Sequence, residues 1–202
     1  MKIKSFLILL VISTQAFSQS NKFEIGLNLG AGLSELRGAN SQENSIQGAS
    51  MGLLFQYNVT DLFSIHSNIL YETKGTELPN SEWQCPNCPK NADLILEYIT
   101  VPVLARLNFG SKTKFFINAG PYFGYLMNYE WVDNRFDYGL ATGLGGQIDL
   151  SENLILSLEL RNSFGLTPFT ENTLGFENDR YTNTLNLLVG IAYRFENKKL
   201  EE

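Results

Sequence analysis

The residues best equipped for chemistry are few, and the first is His66, the only histidine in the chain. Ser64 and Asn68 lie two positions to either side, so the three side chains share one face if the segment is a strand. Such a histidine with a serine could serve a hydrolase acting on lipid or protein. No nucleophile motif accompanies it, and a lone histidine on a polar face usually belongs to a hydrogen-bonded network. We therefore predict no catalytic activity, with a hydrolase using His66 as an alternative.

The two cysteines, Cys85 and Cys88, lie close together in a Trp-Gln-Cys-Pro-Asn-Cys-Pro segment. In an oxidising compartment this spacing favours a small local disulfide. A zinc site would need four ligands, and one histidine does not supply the missing partners. A redox-active pair normally begins a helix in a βαβ unit, and no such pattern surrounds these cysteines. A disulfide is the favoured interpretation; free thiols and a redox or metal pair remain alternatives.

Glycine pairs at Gly30-x-Gly32 and Gly143-x-Gly145 have the spacing of phosphate-binding loops. Both lie inside predicted strands rather than between a strand and a helix, so we expect no phosphate loop and no cofactor. The net charge is −6, without a basic cluster, which argues against nucleic acids and adhesion to anionic lipid.

The N-terminus has the pattern of a secretory signal peptide. Lys2 and Lys4 precede an apolar run over residues 6–12, and Ala16-Phe17-Ser18 offers a small-residue cleavage site. The run is shorter than the roughly 20 apolar residues of a spanning helix. We predict a signal peptide over residues 1–18 and one domain over residues 19–202.

From Lys22 onward, apolar and polar residues alternate with period two, which is typical of strands with two different faces. Each predicted strand is longer than the ~5 to 6 residues usual in soluble sheets and reaches the ~9 to 11 that a tilted membrane strand needs. The predicted strands cover about residues 22–34, 46–59, 63–74, 94–109, 114–126, 137–149, 154–166 and 181–195.

The connections between these strands alternate in length, with short ones at 60–62, 110–113 and 150–153. Transmembrane barrels place short turns in the periplasm and long loops outside the cell. The pattern therefore predicts an all-β fold, an eight-stranded antiparallel up-and-down transmembrane β-barrel.

Glycines and charges indicate which strand face is enclosed. A solvent-facing strand surface gains nothing from glycine, whereas a narrow interior needs room for Tyr122, Arg106 and Arg161 from the opposite wall. The glycines on the polar face are Gly26, Gly30, Gly32, Gly48, Gly52, Gly120, Gly124, Gly139, Gly143, Gly145, Gly165 and Gly190. Charged residues share that face, except for Glu97 near an outer strand end, where a lipid-facing charge costs about 1 kcal/mol or less. We therefore predict a polar interior and an apolar face turned to lipid.

Aromatic residues on the apolar face gather at the strand ends, as in the interfacial belts of membrane barrels. One group is Phe23, Tyr57, Phe63, Phe109, Phe115, Tyr193 and Phe195, and the other is Tyr71, Phe123, Tyr125, Tyr138, Phe164 and Tyr181.

Enclosed charges must satisfy one another or bound water, because side chains fill an eight-stranded barrel. The predicted lumen network consists of Glu24, Glu72, Arg106, Glu159, Arg161 and Arg194. Closing the barrel brings the first and last strands together, so Glu24 and Arg194 are expected to pair across that seam.

Several motifs, in this order, resemble the outer membrane protein beta-barrel domain family, also called porin family or PorT-like. They are Tyr98-x-x-x-Pro102-x-x-x-Arg106, Gly120-Pro-Tyr-Phe-Gly-Tyr125, Asp137-x-Gly139 with Gly143-Leu-Gly145, Arg161-Asn-Ser-Phe-Gly165-Leu-Thr and Gly190-Ile-Ala-Tyr-Arg-Phe195. The resemblance implies an outer-membrane location. Thr100 stands where members often carry an acid, so the ion partner of Arg106 is expected on another strand.

These observations favour a structural, interaction or accessory role in the Gram-negative outer membrane. The expected partners are outer-membrane lipid, the barrel-assembly machinery, which recognises a terminal aromatic such as Phe195, and a protein bound at the external loops. The alternatives are a small-solute channel and a barrel enzyme. A wide pore is not expected, because aqueous porins use about 16 strands.

Overall fold

In a computed structural model, residues 22–38, 44–79, 91–128, 135–168 and 179–195 are described. The strands are β1 (Lys22–Arg37), β2 (Ile46–Asn58), β3 (Phe63–Pro79), β4 (Asn91–Phe109), β5 (Thr113–Leu126), β6 (Phe136–Asp149), β7 (Leu154–Gly165) and β8 (Tyr181–Phe195). Sequential neighbours pair antiparallel, and β8 pairs with β1, so the sheet closes into a barrel. Within the described ranges, no helix is long and apolar enough to cross a membrane.

Alternate side chains of every strand point into and out of the barrel, as the period-two pattern predicts. Leu27 is 57% exposed and Leu187 is 50% exposed, whereas Glu24 and Glu159 are 2% and 4% exposed. The apolar face is therefore the outer surface, and the glycine-rich, charged face is enclosed.

The interior is not uniformly polar, which the alternation did not predict. Buried apolar side chains share the inward face with the charged ones, including Leu54, Leu70, Leu96, Leu104, Phe116 and Leu188. The expected role of the glycines was also wrong in one respect. The rings of Phe116 and Tyr122 lie over Gly145 and Gly139 of the adjacent strand, their cross-strand partners, instead of reaching a glycine on the opposite wall.

The outer ends of β3 and β4 extend beyond the predicted bounds of 74 and 94. The antiparallel pairing of β3 with β4 continues in the same register through Glu77 and Asp93. We call residues 73–79 and 91–97 the outer hairpin. Gly75 has a φ of 146°, and its N–H donates to Ser34 Oγ of β1 at 3.0 Å. Since β1 is not a sheet neighbour of β3, this bond shows that β3 bends toward β1 past the outer end of β2.

Outward aromatic residues occupy both ends of the strands. At the end that carries the short turns, Tyr193 and Phe195 contact each other with ring centroids 4.9 Å apart. At the other end, Phe123 lies 5.1 Å from Tyr138 and 5.5 Å from Phe136. Phe136 was not predicted in this belt because the sixth strand was expected to begin at residue 137.

Three predicted features fall on residues outside the described ranges. These are the signal peptide over residues 1–18, the pair Cys85 and Cys88, and the polar tail after Phe195.

Candidate functional site

The enclosed polar side chains of the barrel are the candidate site, and they form three groups, one of them denser than the others. We call this denser group the central cluster, formed by Gln56, His66, Asn68, Arg106, Asn118, Glu159 and Arg161. Glu159 Oε2 accepts a hydrogen bond from Arg106 Nη2 at 2.8 Å, and Glu159 Oε1 accepts one from Arg161 Nε. One carboxylate on β7 thus neutralises part of the charge of two guanidinium groups. The ion partner of Arg106 comes from another strand, as the sequence predicted.

Further contacts fix both guanidinium groups in position. Arg106 Nη1 donates to Gln56 Oε1 at 2.9 Å, and its guanidinium carbon lies 3.7 Å from the centroid of the Phe116 ring. Arg161 Nη1 donates to Asn68 Oδ1 at 2.9 Å. Hydrogen bonds to charged groups and stacking on an aromatic face both lower the cost of burying a cation.

His66 takes part in this cluster through both ring nitrogens. Nδ1 lies 3.3 Å from Gln56 Oε1, which can only accept, and Nε2 lies 3.3 Å from Arg161 Nη2, which can only donate. The neutral ring with its proton on Nδ1 satisfies both contacts. Ser64 Oγ donates to Asn58 instead of contacting His66. The described geometry therefore provides no serine and histidine pair of the kind a hydrolase needs.

A second group of polar residues lies toward the end with the short turns, and we call it the periplasmic cluster. Glu24 and Arg194 are direct cross-strand partners on β1 and β8. Arg194 Nε donates to Glu24 Oε1 at 2.9 Å, and Arg194 Nη2 lies 3.0 Å from Asp149 Oδ1. The pairing expected across the seam is thus present. Asn58 donates to Glu24 and accepts from Gln56, which joins this cluster to the central one.

A third group, the outer cluster, fills the lumen beneath the outer hairpin. Lys74 Nζ lies 3.1 Å from Asp137 Oδ2 and 3.8 Å from Glu72 Oε2. Tyr122 and Thr182 both donate to Asp137 Oδ2, at 3.1 and 2.9 Å. Asn186 Nδ2 donates to Glu72 Oε1 at 2.9 Å. The ammonium also faces two aromatic rings, 4.7 Å from the centroid of Tyr122 and 4.9 Å from that of Tyr98.

The predicted network of six residues is thus divided among three clusters. Arg106, Glu159 and Arg161 lie in the central cluster, Glu24 and Arg194 in the periplasmic cluster, and Glu72 in the outer cluster. The predicted network omitted the neutral partners, Asp149, and the Lys74 and Asp137 pair. Strand parity was the available signal, because it places all of these residues on the inward face. The members omitted were Gln56, Asn58, His66, Asn68, Lys74, Asn118, Tyr122, Asp137, Asp149, Thr182 and Asn186.

A small polar cavity opens at the end with the short turns. The polar cavity at the periplasmic mouth, between Asn58, Asn108 and Arg194, has a volume of about 20 Å³. That volume holds about one water molecule. Two larger grooves, of about 590 and 480 Å³, lie on the outward face among apolar side chains. Within the described part of the chain, no group of three or more His, Cys, Asp or Glu side chains could hold a metal ion.

Comparisons with known proteins agree with this architecture. The family model for the outer membrane protein beta-barrel domain matches residues 17–171. The outer membrane protein OprG from Pseudomonas aeruginosa has a similar solved structure, with a TM-score of 0.58 and 12% identity over 90% of this chain and 99% of OprG. Neisserial surface protein A also has a TM-score of 0.58, with 13% identity over 87% of this chain and 100% of that protein. At such identities the likeness concerns the fold alone, and no curated protein matches the sequence.

The family match covers most of the chain, and the closed barrel with an apolar outer surface agrees with the family's description as an outer-membrane barrel. The chain therefore belongs to the outer membrane protein beta-barrel domain family and is an eight-stranded barrel of the outer membrane.

Proposed function

We propose that this protein is a non-conducting, non-catalytic outer-membrane barrel that presents its external end to a protein partner. The observation that carries this proposal is the filled lumen. Arg106 on β4 and Asn68 on β3 contact Glu159 and Arg161 on β7, so these side chains bridge the interior between distant strands. A filled barrel supplies a stable platform for the loops at its external end.

The filled lumen argues against a route for small solutes. Bound charges close the central section, and the inward side chains Leu96, Leu104 and Phe116 are buried. The Gly75 to Ser34 hydrogen bond also ties β3 to β1 near the external end. A solute would have to break several charge-assisted hydrogen bonds, each about 1.5 to 3 kcal/mol, to pass.

Conductance in planar bilayers tests this proposal. Wild-type protein is expected to give no ion current, whereas a Phe116→Ala and Arg161→Ala double variant is expected to conduct, since it removes two large inward side chains. Heat-dependent gel mobility verifies that both proteins are folded. Stable current through the folded wild-type barrel would contradict the proposal and support the solute channel.

The absence of catalysis is proposed on the geometry of His66, whose two ring nitrogens contact Gln56 and Arg161. Wild-type protein and a His66→Ala variant are expected to show the same background hydrolysis of ester-linked lipids and of unfolded peptide. A reproducible activity that is lost in His66→Ala would favour the enzyme alternative.

The interaction role is supported by the outer hairpin, which extends β3 and β4 beyond their neighbouring strands and exposes Asp93. A photo-reactive amino acid at Asp93 is expected to cross-link to a protein in intact cells. The same probe at Ser111, in a periplasmic turn, controls for non-specific capture. Cross-links only to lipid or water at Asp93 would contradict a partner at the external end.

A further inference from the structure

Arg37 ends β1 on the outward face, at the level of the outer aromatic belt. Outward positions on this strand continue from Leu33 through Glu35 to Arg37. Its cross-strand partner on β8 is Tyr181, a residue of the outer belt. Aromatic belts mark the boundary between hydrocarbon and headgroups. Arg37 therefore lies where outer-leaflet headgroups meet the barrel wall.

Contacts with β7 fix the guanidinium of Arg37 against the barrel surface. Its central carbon lies 3.4 Å from the centroid of the Phe164 ring, and Nη2 donates to the Gly165 carbonyl oxygen at 3.1 Å. Nε is shielded, and it has no hydrogen-bond partner among the described residues. The side chain reaches past β8 to make these contacts, which orders a group that carries about 2 kcal/mol of rotamer entropy.

The charge of Arg37 is not neutralised within the described structure. Arg106, Arg161 and Arg194 each contact a carboxylate in the lumen. Across the described residues, no carboxylate forms an ion pair with Arg37. Glu35 shares its face, but Glu35 Oε1 accepts a hydrogen bond from Asn183 Nδ2 at 2.9 Å. A partly buried, ordered guanidinium that has no counter-ion among the described residues is stabilised when an anion binds it.

The outer rim also distributes its charges unevenly. The outward face of the outer hairpin, on β3 and β4, carries the carboxylates Glu77, Asp93 and Glu97. Arg37 lies on the other side of β2, where β1 meets β8. An anion at the rim is repelled from the hairpin and attracted to Arg37. The chain has a net charge of −6, so it is not attracted over long range to an anionic membrane surface. Binding of an anion at Arg37 would therefore be a local contact with a single headgroup.

We propose that Arg37 binds a phosphate group of an outer-leaflet glycolipid, with Phe164 and the Gly165 carbonyl holding its guanidinium in place. With Nε shielded and one Nη2 proton on Gly165, the two protons of Nη1 and the second proton of Nη2 remain for a phosphate. This paired contact of two nitrogens is one that a lysine cannot reproduce. The apolar outward side chains below Arg37, including Leu29 and Leu33, are exposed to receive the acyl chains of the same lipid.

Native mass spectrometry of the detergent-purified protein, titrated with diphosphorylated lipid A, tests this site. Arg37→Gln is expected to lower the affinity about tenfold, the effect of losing one charge-assisted contact. The lipid A affinity of Arg37→Lys is expected to lie between those of wild type and Arg37→Gln, because lysine keeps the charge and lacks the planar guanidinium. Lys114→Gln, which removes a cation near the periplasmic mouth, is the matched control and is expected to bind like wild type. Lipid A stripped of its phosphates is expected to bind wild type and Arg37→Gln equally.

Three results would overturn the assignment. Unchanged lipid A affinity in folded Arg37→Gln protein would exclude the residue, and an equal loss in Lys114→Gln would show a non-specific charge effect. Inorganic phosphate binding with the same affinity and the same dependence on Arg37 would identify a free-anion site instead of a lipid site. Heat-dependent gel mobility verifies the fold of every variant, and the outcome is independent of whether the lumen conducts.

Discussion

Space within the lumen is set by single residues, and the adjacent glycines Gly145 and Gly146 show how. Gly145 points inward, where an added Cβ would meet the Leu158 carbonyl oxygen and the ring of Phe116. Gly146 points outward, and the nearest atom to an added Cβ is 3.8 Å away, on Phe115. Glycine is therefore required at one of these positions and not at the other.

Gly145→Ala is expected to destabilise the barrel by about 1 to 3 kcal/mol, because the Phe116 ring must move in a packed interior. Gly146→Ala, one residue away, is expected to change stability by less than about 0.5 kcal/mol. Urea unfolding in lipid vesicles, followed by gel mobility, measures both. Equal effects at the two positions would contradict the packing described for Phe116.

The carboxylate of Glu159 is the single acceptor shared by Arg106 and Arg161. Glu159→Gln leaves two buried cations with a neutral partner and is expected to cost about 3 to 5 kcal/mol. Glu152→Gln, in an exposed periplasmic turn, is the control and is expected to be neutral. The same unfolding measurement distinguishes them. Wild-type stability in Glu159→Gln would show that the ion pairs do not hold the centre of the lumen.

Among the elements, the β1–β8 seam was accessible from the sequence, and the interior pairing was not. An up-and-down order fixes which strands meet, so Glu24 and Arg194 could be matched from strand order and strand parity alone. The partner of Arg106 could be assigned only to another strand, because the tilt and stagger of the strands decide which inward residues of opposite walls meet. Parity identified Glu159 as enclosed without showing that it contacts Arg106.

Strand ends were predicted less well than strand centres for a related reason. The outer hairpin contains Gly75 and Pro79, residues typical of turns, yet its pairing continues to Pro79 and Asn91. Gly75, at a φ of 146°, lets β3 bend toward β1 there. The sequence analysis judged the inward face to be polar as a whole. It therefore missed single apolar residues on that face, such as Leu96 and Leu104.

The ion pair between Glu24 on β1 and Arg194 on β8 is expected to contribute to closure of the barrel, and reversing its charges tests this. Glu24→Arg places two cations opposite each other and is expected to lower the folded fraction after refolding into vesicles, since like charges across a strand pair are unfavourable. The double variant Glu24→Arg with Arg194→Glu is expected to regain part of that loss. Asp149 and Asn58 keep their original orientation, so recovery remains incomplete. No recovery at all would mean that the pair does not act through its charge.

For the molecule as a whole, membrane insertion depends on an unbroken apolar outer surface. Leu187→Arg puts a charge near the middle of that surface and is expected to cost about 2 to 4 kcal/mol in vesicles. Thr73→Arg, outward near the rim and opposite Glu97, is expected to cost about 0 to 1 kcal/mol. Unfolding titrations of both variants check the depth dependence. If Leu187→Arg were as stable as Thr73→Arg, the outward face would not be the lipid-facing one.

Phe23 and Phe195 are direct partners at the periplasmic rim, so the ends of the barrel domain are neighbours in space. The chain could therefore be joined end to end and reopened at the short turn around Ser111, giving a circular permutant with every strand intact. Such a rearranged gene product would keep the same barrel while making a different strand the last to be synthesised. Assembly of this permutant in cells would show whether insertion needs β8 to be the last strand, or needs only a sheet that can close.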